Sequence, residues 1–146
     1  MTDTPLHLIK LVVGINSIAE LAAWQEKEYL HYKGQKVGIV HTRYKPRRAE
    51  EILATQGSIY RVIRGYIMCR EHIIGFETTE DDKRGKHCLI LTDTSIMRTY
   101  PTLHRPFQGW RYMKNNHIPK DTERYTPEQG DGVISLEEEH KKLCWL

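Results

Sequence analysis

The stretch "SIYRVIRGYIMCREHIIGFE", residues 58–77, constrains this chain more than any other. It is rich in β-branched and aromatic side chains, which favour extended backbone. It is longer than an ordinary strand. It therefore predicts two strands or one strongly bent strand, with Gly65 as a bulge or kink. Alternation puts Tyr60, Val62, Arg64, Tyr66 and Met68 on one side, and Ile59, Arg61, Ile63, Ile67 and Cys69 on the other.

The elements around this run follow from their own patterns. "LHLIKLVVG" reads as a buried strand ending in glycine. In "SIAELAAWQEKEYLHYK", Ser17 and Glu20 fit a capping box, and Ile18, Leu21, Ala22, Gln25, Tyr29 and Tyr32 trace one helical face. "GQKVGIVHTRY" is a turn and a strand. In "KPRRAEEILATQG", Pro46 suits a first helical turn and Gly57 a C-terminal cap, with Ala49, Ile52 and Leu53 as the apolar stripe. "TTEDDKRGK" is a hairpin tip, and "HCLILTDTSIMRTY" supplies one or two further strands. The expected fold is α+β: a small, mixed, partly closed β-barrel with two to three flanking helices. One barrel-like domain spans residues 1–114. Residues 115–146 form a polar loop and a tail, whose short helix docks Leu136, Leu143 and Trp145 on the same domain.

At 146 residues, 39% hydrophobic and 28% charged, the chain is long enough for one real core. It has no apolar run long enough to cross a membrane as a helix, and Lys10 breaks the run Leu8 to Val13. A cytoplasmic location is the default expectation. Cys69, Cys88 and Cys144 are far apart and form no Cys-x-x-Cys, so they read as reduced, mostly buried thiols. The net charge of +3 is unevenly spread. Residues 41–72 hold seven Lys/Arg against three Asp/Glu, and residues 98–114 hold four Lys/Arg and no acid. Each segment carries +4, leaving −5 for the remainder, and such asymmetry favours a basic face that attracts phosphates.

Motifs for chemistry are sparse. None of the eight histidines forms His-x-His or His-Glu-x-x-His. A cross-strand cluster of Cys69, His72, His87 and Cys88 is geometrically allowed, but nothing in the spacing forces metal ligation. A Cys–His pair from the same residues meets the objection that an apolar strand raises a thiol's pKa. There is no Gly-x-Ser-x-Gly elbow and no glycine-rich phosphate loop. No catalytic residue, metal or cofactor is assigned, and a binding module is favoured over an enzyme.

What remains is basic and aromatic. Lys and Arg offset phosphate charge, and planar side chains stack on bases for about 1–3 kcal/mol each. "RYKPRR" supplies Arg43, Arg47 and Arg48 beside Tyr44, at the start of a predicted helix whose free N–H groups favour an anion. "YRVIRG" adds Tyr60, Arg61 and Arg64. "RPFQGWRYM" brackets Phe107, Trp110 and Tyr112 with Arg105 and Arg111. Phe107 and Trp110 have core packing as their plainer role.

The ordered stretches "PLHLIKLVVG", "HTRYKPRR", "GSIYRVIRG" and "RPFQGWRY" resemble domain-of-unknown-function family 1489, a bacterial family, over about Pro5 to Tyr112. The resemblance brings no established activity. Arg61 stands where that family usually has an aromatic residue, and Tyr44-Lys45 replace a more apolar pair. Element order and composition are also similar, more loosely, to the PUA superfamily with its ASCH, EVE and YTH modules. That likeness implies binding of RNA or modified bases in a basic, aromatic cleft.

The expected function is therefore recognition of nucleic acid, RNA or a modified nucleotide. Arg43, Arg47, Arg48 and Arg64 would engage phosphate. Trp110 and Tyr60 would stack, Gln108 would meet a base edge, and Arg105 and Arg111 would flank the pocket. One alternative is a small hydrolase or transferase acting on a phosphorylated metabolite, with His41, His72 or Glu71 as acid–base groups. Another is a protein-interaction module anchored by Trp110 and Trp145. The oligomeric state is left open.

Overall fold

The computed structural model describes residues 4–113 and 115–127. The chain runs β1 (Leu8–Leu11), α1 (Ile18–Lys27), β2 (Tyr29–Tyr32), β3 (Gln35–Thr42), α2 (Ala49–Ala54), β4 (Ser58–Ile63), β5 (Tyr66–Asp81), β6 (Gly85–Leu103), β7 (Trp110–Tyr112), a short 3-10 turn at Asn115–His117, and β8 (Asp121–Arg124). The strands order as β2-β3-β6-β5-β4-β1-β7, with β8 pairing on β6. Among the described residues only β1 and β4 run parallel, and all other pairs are antiparallel. Among the described residues the architecture is α+β, dominated by one mixed sheet with two helices.

The expectation of a partly closed barrel is corrected. Among the described residues β2 and β7 are free edges of an open sheet. The long strands bend instead of closing, because β5 and β6 slip register between Ile67/Cys69, Glu71/Ile73 and Ile73/Gly75.

The long apolar run divides as β4 and β5. Gly65 is not a bulge but half of a tight hairpin turn, with Arg64 at φ 53° and Gly65 at φ 86°. The turn and the following slip break the continuous alternation. Ile67 joins Tyr60 and Val62 in one cluster, while Met68 and Cys69 join Ile63 in another.

The helix from Ser17 is shorter than its pattern. Ser17 caps it through Oγ, which accepts from Glu20 N–H at 3.1 Å, but helix ends at Lys27. Tyr29 to Tyr32 then form strand β2. The missed signal is Lys33-Gly34, whose φ values of 49° and 82° make a second tight hairpin turn into β3. The polar loop after Tyr112 also holds strand β8. The expected C-terminal helix, with Leu136, Leu143 and Trp145, lies outside the described residues.

α2 begins at Ala49, not at Pro46, whose carbonyl accepts from Ala49 N–H. The left-handed residue at its end is Gln56 (φ 59°), not Gly57. Gly57 is needed for space: a Cβ there would lie 1.9 Å from the Leu6 carbonyl oxygen.

Both helices cover one face of the sheet. α1 packs with Val12, Ile63, Cys69 and Ile96, and α2 packs with Leu8, Ile59, Ile73 and Ile90. The opposite face holds Ile9, Tyr60, Val62, Ile67 and Met113. No helix of the described residues is long and apolar enough to cross a membrane.

Candidate functional site

The helix-covered face has a polar seam between its two apolar halves. On β1 and the residue just after it the same-face residues are Leu8, Lys10 and Val12; on β4 they are Ile59, Arg61 and Ile63. On β5, Glu71 lies between Cys69 and Ile73. In each strand the outer members pack under α2 or α1, and the middle one is charged. Lys10 sits in register with Arg61 on one side and with Trp110 on the other.

Glu71 anchors the seam. Its carboxylate accepts from Arg61 Nη1 at 3.0 Å, from Thr92 Oγ1 at 3.2 Å and from the Gln25 side-chain amide of α1. The Arg61 and Glu71 side chains are 7% and 1% exposed. Such an ion pair loses much hydration and needs the extra donors to be tolerated. Gly38 makes the approach of Gln25 possible, because a Cβ there would lie 2.7 Å from Thr92 Oγ1 and 3.2 Å from Gln25 Nε2.

The fork of Arg61 is only partly used. Its Nε is buried with no hydrogen-bond partner among the described residues. Among the described residues Lys10 has no carboxylate within salt-bridge distance. Burial, and secondarily the charge of Arg61, pushes the Lys10 ammonium below its ordinary pKa.

Lys10, Gln25, Arg61 and Glu71 line a cavity of about 410 Å³, with Val12 to Ile15, Trp24, His41 and Arg84 in its walls. Trp24 is 46% exposed, unusual for so large a ring. His41 and Arg84 also line an adjoining concavity of about 600 Å³, with Thr42, Arg43, Lys86 and His87. Glu28 contacts His41 Nε2 at 2.8 Å, and His41 Nδ1 contacts His87 Nε2 at 3.1 Å.

The residues singled out from the sequence divide into two groups. The segment that carries Arg43, Arg47 and Arg48 is tied to β7: Trp110 Nε1–H donates to the Tyr44 carbonyl at 3.1 Å, and Arg48 N–H donates to Tyr112 Oη at 3.1 Å. Trp110 is half-buried and lies edge-on to Tyr112. Arg48 is held by Glu51 through two hydrogen bonds, and Glu50 and Glu51 occupy the first turn of α2. No side chain caps that helix end, and its first turn carries Glu50 and Glu51, whose negative charges oppose a further anion there.

The other group lies elsewhere. Tyr60 is 3% exposed on the opposite face, edge-on to His7. Arg111 pairs with Ile9 across β1 and β7, and its guanidinium lies over Phe107. Arg64 occupies the β4–β5 turn, to which the chain before Arg105 is tied by His104 N–H donating to the Gly65 carbonyl. Gln108 is exposed in the same loop region. None of Tyr60, Arg64, Arg105, Gln108 and Arg111 lines the two adjoining concavities.

Cys69 is fully buried, and burial raises its pKa well above the ordinary thiol value. Burial also raises that of Cys88. Cys144 lies outside the described residues. Among the described residues, no group of three or more His, Cys, Asp or Glu is placed to hold a metal ion.

Sequence reasoning passed over Lys10, Gln25, Trp24, Arg84 and Lys86 as site residues. A signal for the first three was present. Lys10 breaks an apolar strand, Gln25 interrupts an apolar helical stripe, and Trp24 is a large aromatic off that stripe. Arg84 and Lys86 sit on a polar hairpin tip, where nothing local marks them.

No curated protein and no solved structure matches this chain. One family does, and it covers the tail as well as the stretches up to Tyr112: over residues 8–146 the chain belongs to the family described as "Protein of unknown function (DUF1489)".

Proposed function

We propose that this protein is a binding module for nucleic acid, RNA or a nucleotide. The single observation behind this reading is the pair of adjoining concavities that share His41 and Arg84. Together they are lined by Lys10, Arg43, Arg61, Arg84 and Lys86 against one acidic lining residue, Glu71. An excess of one sign in concave walls concentrates the field and attracts polyanions. Trp24 offers a partly exposed ring at the rim for stacking, and Trp110 flanks Lys10 across the sheet. In this reading Arg43 and Lys86 offset backbone phosphates, while Arg47 and Arg48 extend the basic surface beyond the groove. Arg64, Arg105 and Arg111 add peripheral charge.

The test is fluorescence anisotropy with single-stranded RNA at low and high salt. Binding that weakens as salt rises, with a slope near −0.7 per phosphate contacted, is expected. Absence of binding at both salts removes the proposal.

One observation keeps a second reading in view. His41 shares a wall with Arg43 and Arg84, and Glu71 shares one with Arg61, which a hydrolase or transferase acting on a phosphorylated metabolite would require. His72 does not line either concavity. Turnover of a phosphorylated substrate that is abolished by His41→Ala would favour the enzyme over the binding module.

A further inference from the structure

We infer that the cavity between α1 and the polar seam is a phosphomonoester subsite, taking the terminal phosphate of a nucleotide or of a nucleic-acid strand. The inference rests on the proposed function and sharpens it from a basic groove to an end-recognising one.

Three observations carry it. The first is an uncommitted buried donor. Arg61 is 7% exposed, Glu71 holds it through Nη1, and its Nε has no partner among the described residues. Native interiors leave few buried donors unpaired, and a planar fork oriented by a carboxylate is well shaped for a second oxyanion. The second is Lys10. It stands in register with Arg61, lines the same cavity, and has no carboxylate of its own among the described residues. Of the three positive side chains that line the cavity, Arg61 pairs with Glu71 and Arg84 with Asp81, so Lys10 is the one without a carboxylate counter-charge among the described residues.

The third is shape. At about 410 Å³, with the loop Val12 to Ile15, Leu21 and Trp24 forming the α1 side, the cavity suits one small ligand more than a strand threading through. An internal phosphodiester carries a single charge and continues in both directions. A monoester carries close to two negative charges near neutral pH and ends the chain. Trp24 at the wall is placed to cover the attached base or sugar, and His41 with Arg84 connects the cavity to the groove that holds Arg43 and Lys86.

Calorimetry on the full chain tests this with inorganic phosphate, AMP, and one short single-stranded RNA prepared with a 5′-phosphate, a 3′-phosphate or neither. The variants are Lys10→Met and Arg61→Lys. Lys10→Met changes a half-buried strand residue and keeps the measurement informative where Arg61→Lys fails to fold. The expected result is at least about ten-fold tighter binding of a phosphate-ended RNA than of the unphosphorylated one, with the difference lost in Lys10→Met. Binding of phosphate or AMP that depends on Lys10, with no RNA binding at all, supports the subsite and overturns the nucleic-acid reading. Equal affinity for all three RNAs, unchanged in Lys10→Met, overturns the subsite and leaves the nucleic-acid reading intact. No binding of any probe overturns both.

Discussion

At the residue scale, the side chains that matter are polar groups interrupting apolar patterns. Glu71 is the clearest. Glu71→Gln would leave the Arg61 charge buried without its counter-ion, and breaking such a pair costs about 3–5 kcal/mol. Urea denaturation should show that loss, and pairing Arg61→Leu with Glu71→Met should recover most of it. Recovery is expected because apolar replacement of a whole buried pair is often neutral. His7 gives a pH signature. Its Nδ1 accepts from Ser58 N–H at 2.9 Å, and burial, followed by the nearby Arg70 charge, lowers its pKa from 6.5. The unfolded chain therefore takes up this proton before the folded one does. Stability is full above the unfolded value and declines as pH falls through the window just beneath it. Denaturation at about pH 7.5 and about pH 5.5 should show a loss near 1 kcal/mol, the worth of one buried hydrogen bond, and His7→Asn should remove it. Lys10, Gln25 and Arg61 were each visible as a break in an apolar pattern. Their convergence was not, because it depends on the β1–β4 parallel register and on α1 crossing β5.

At the element scale, type was more legible than extent. Apolar alternation marked β1, β3, β4 and β5, and the Ser17 cap marked the start of α1. The end of α1 was misread because Tyr29 and Tyr32 fit a helical face and a strand alike. The Lys33-Gly34 turn decided for the strand. Arg64 and Lys33 are non-glycine residues at positive φ, a conformation asparagine tolerates better. Arg64→Asn should therefore raise stability by about 0.5 kcal/mol in denaturant titration. Gly57→Ala should act in the opposite sense. Its new methyl group would meet the Leu6 backbone between α2 and β1, so a loss at or above the upper end of about 1–3 kcal/mol is expected from the same titration.

At the scale of the whole molecule, sequence indicated an α+β chain, and the mixed sheet with its two described helices agrees. Closure was not legible, since whether strands curl shut depends on bulges such as those in β5 and β6, which alternation alone does not locate. Nor was the shape of the basic surface. Tyr44, next to Arg43, accepts a hydrogen bond from Trp110, but the cavity against α1 is lined by Lys10, Arg61 and Arg84 of the β5–β6 tip, far apart in the chain. The central claim is that an anionic ligand occupies the two joined concavities. Amide chemical-shift mapping during titration with a phosphate-ended single-stranded RNA tests it most directly. The largest changes are expected at residues 10–15, 41–43 and 84–87. Changes confined to the far face around Tyr60, Ile67 and Met113, or to the β2 edge, would contradict it.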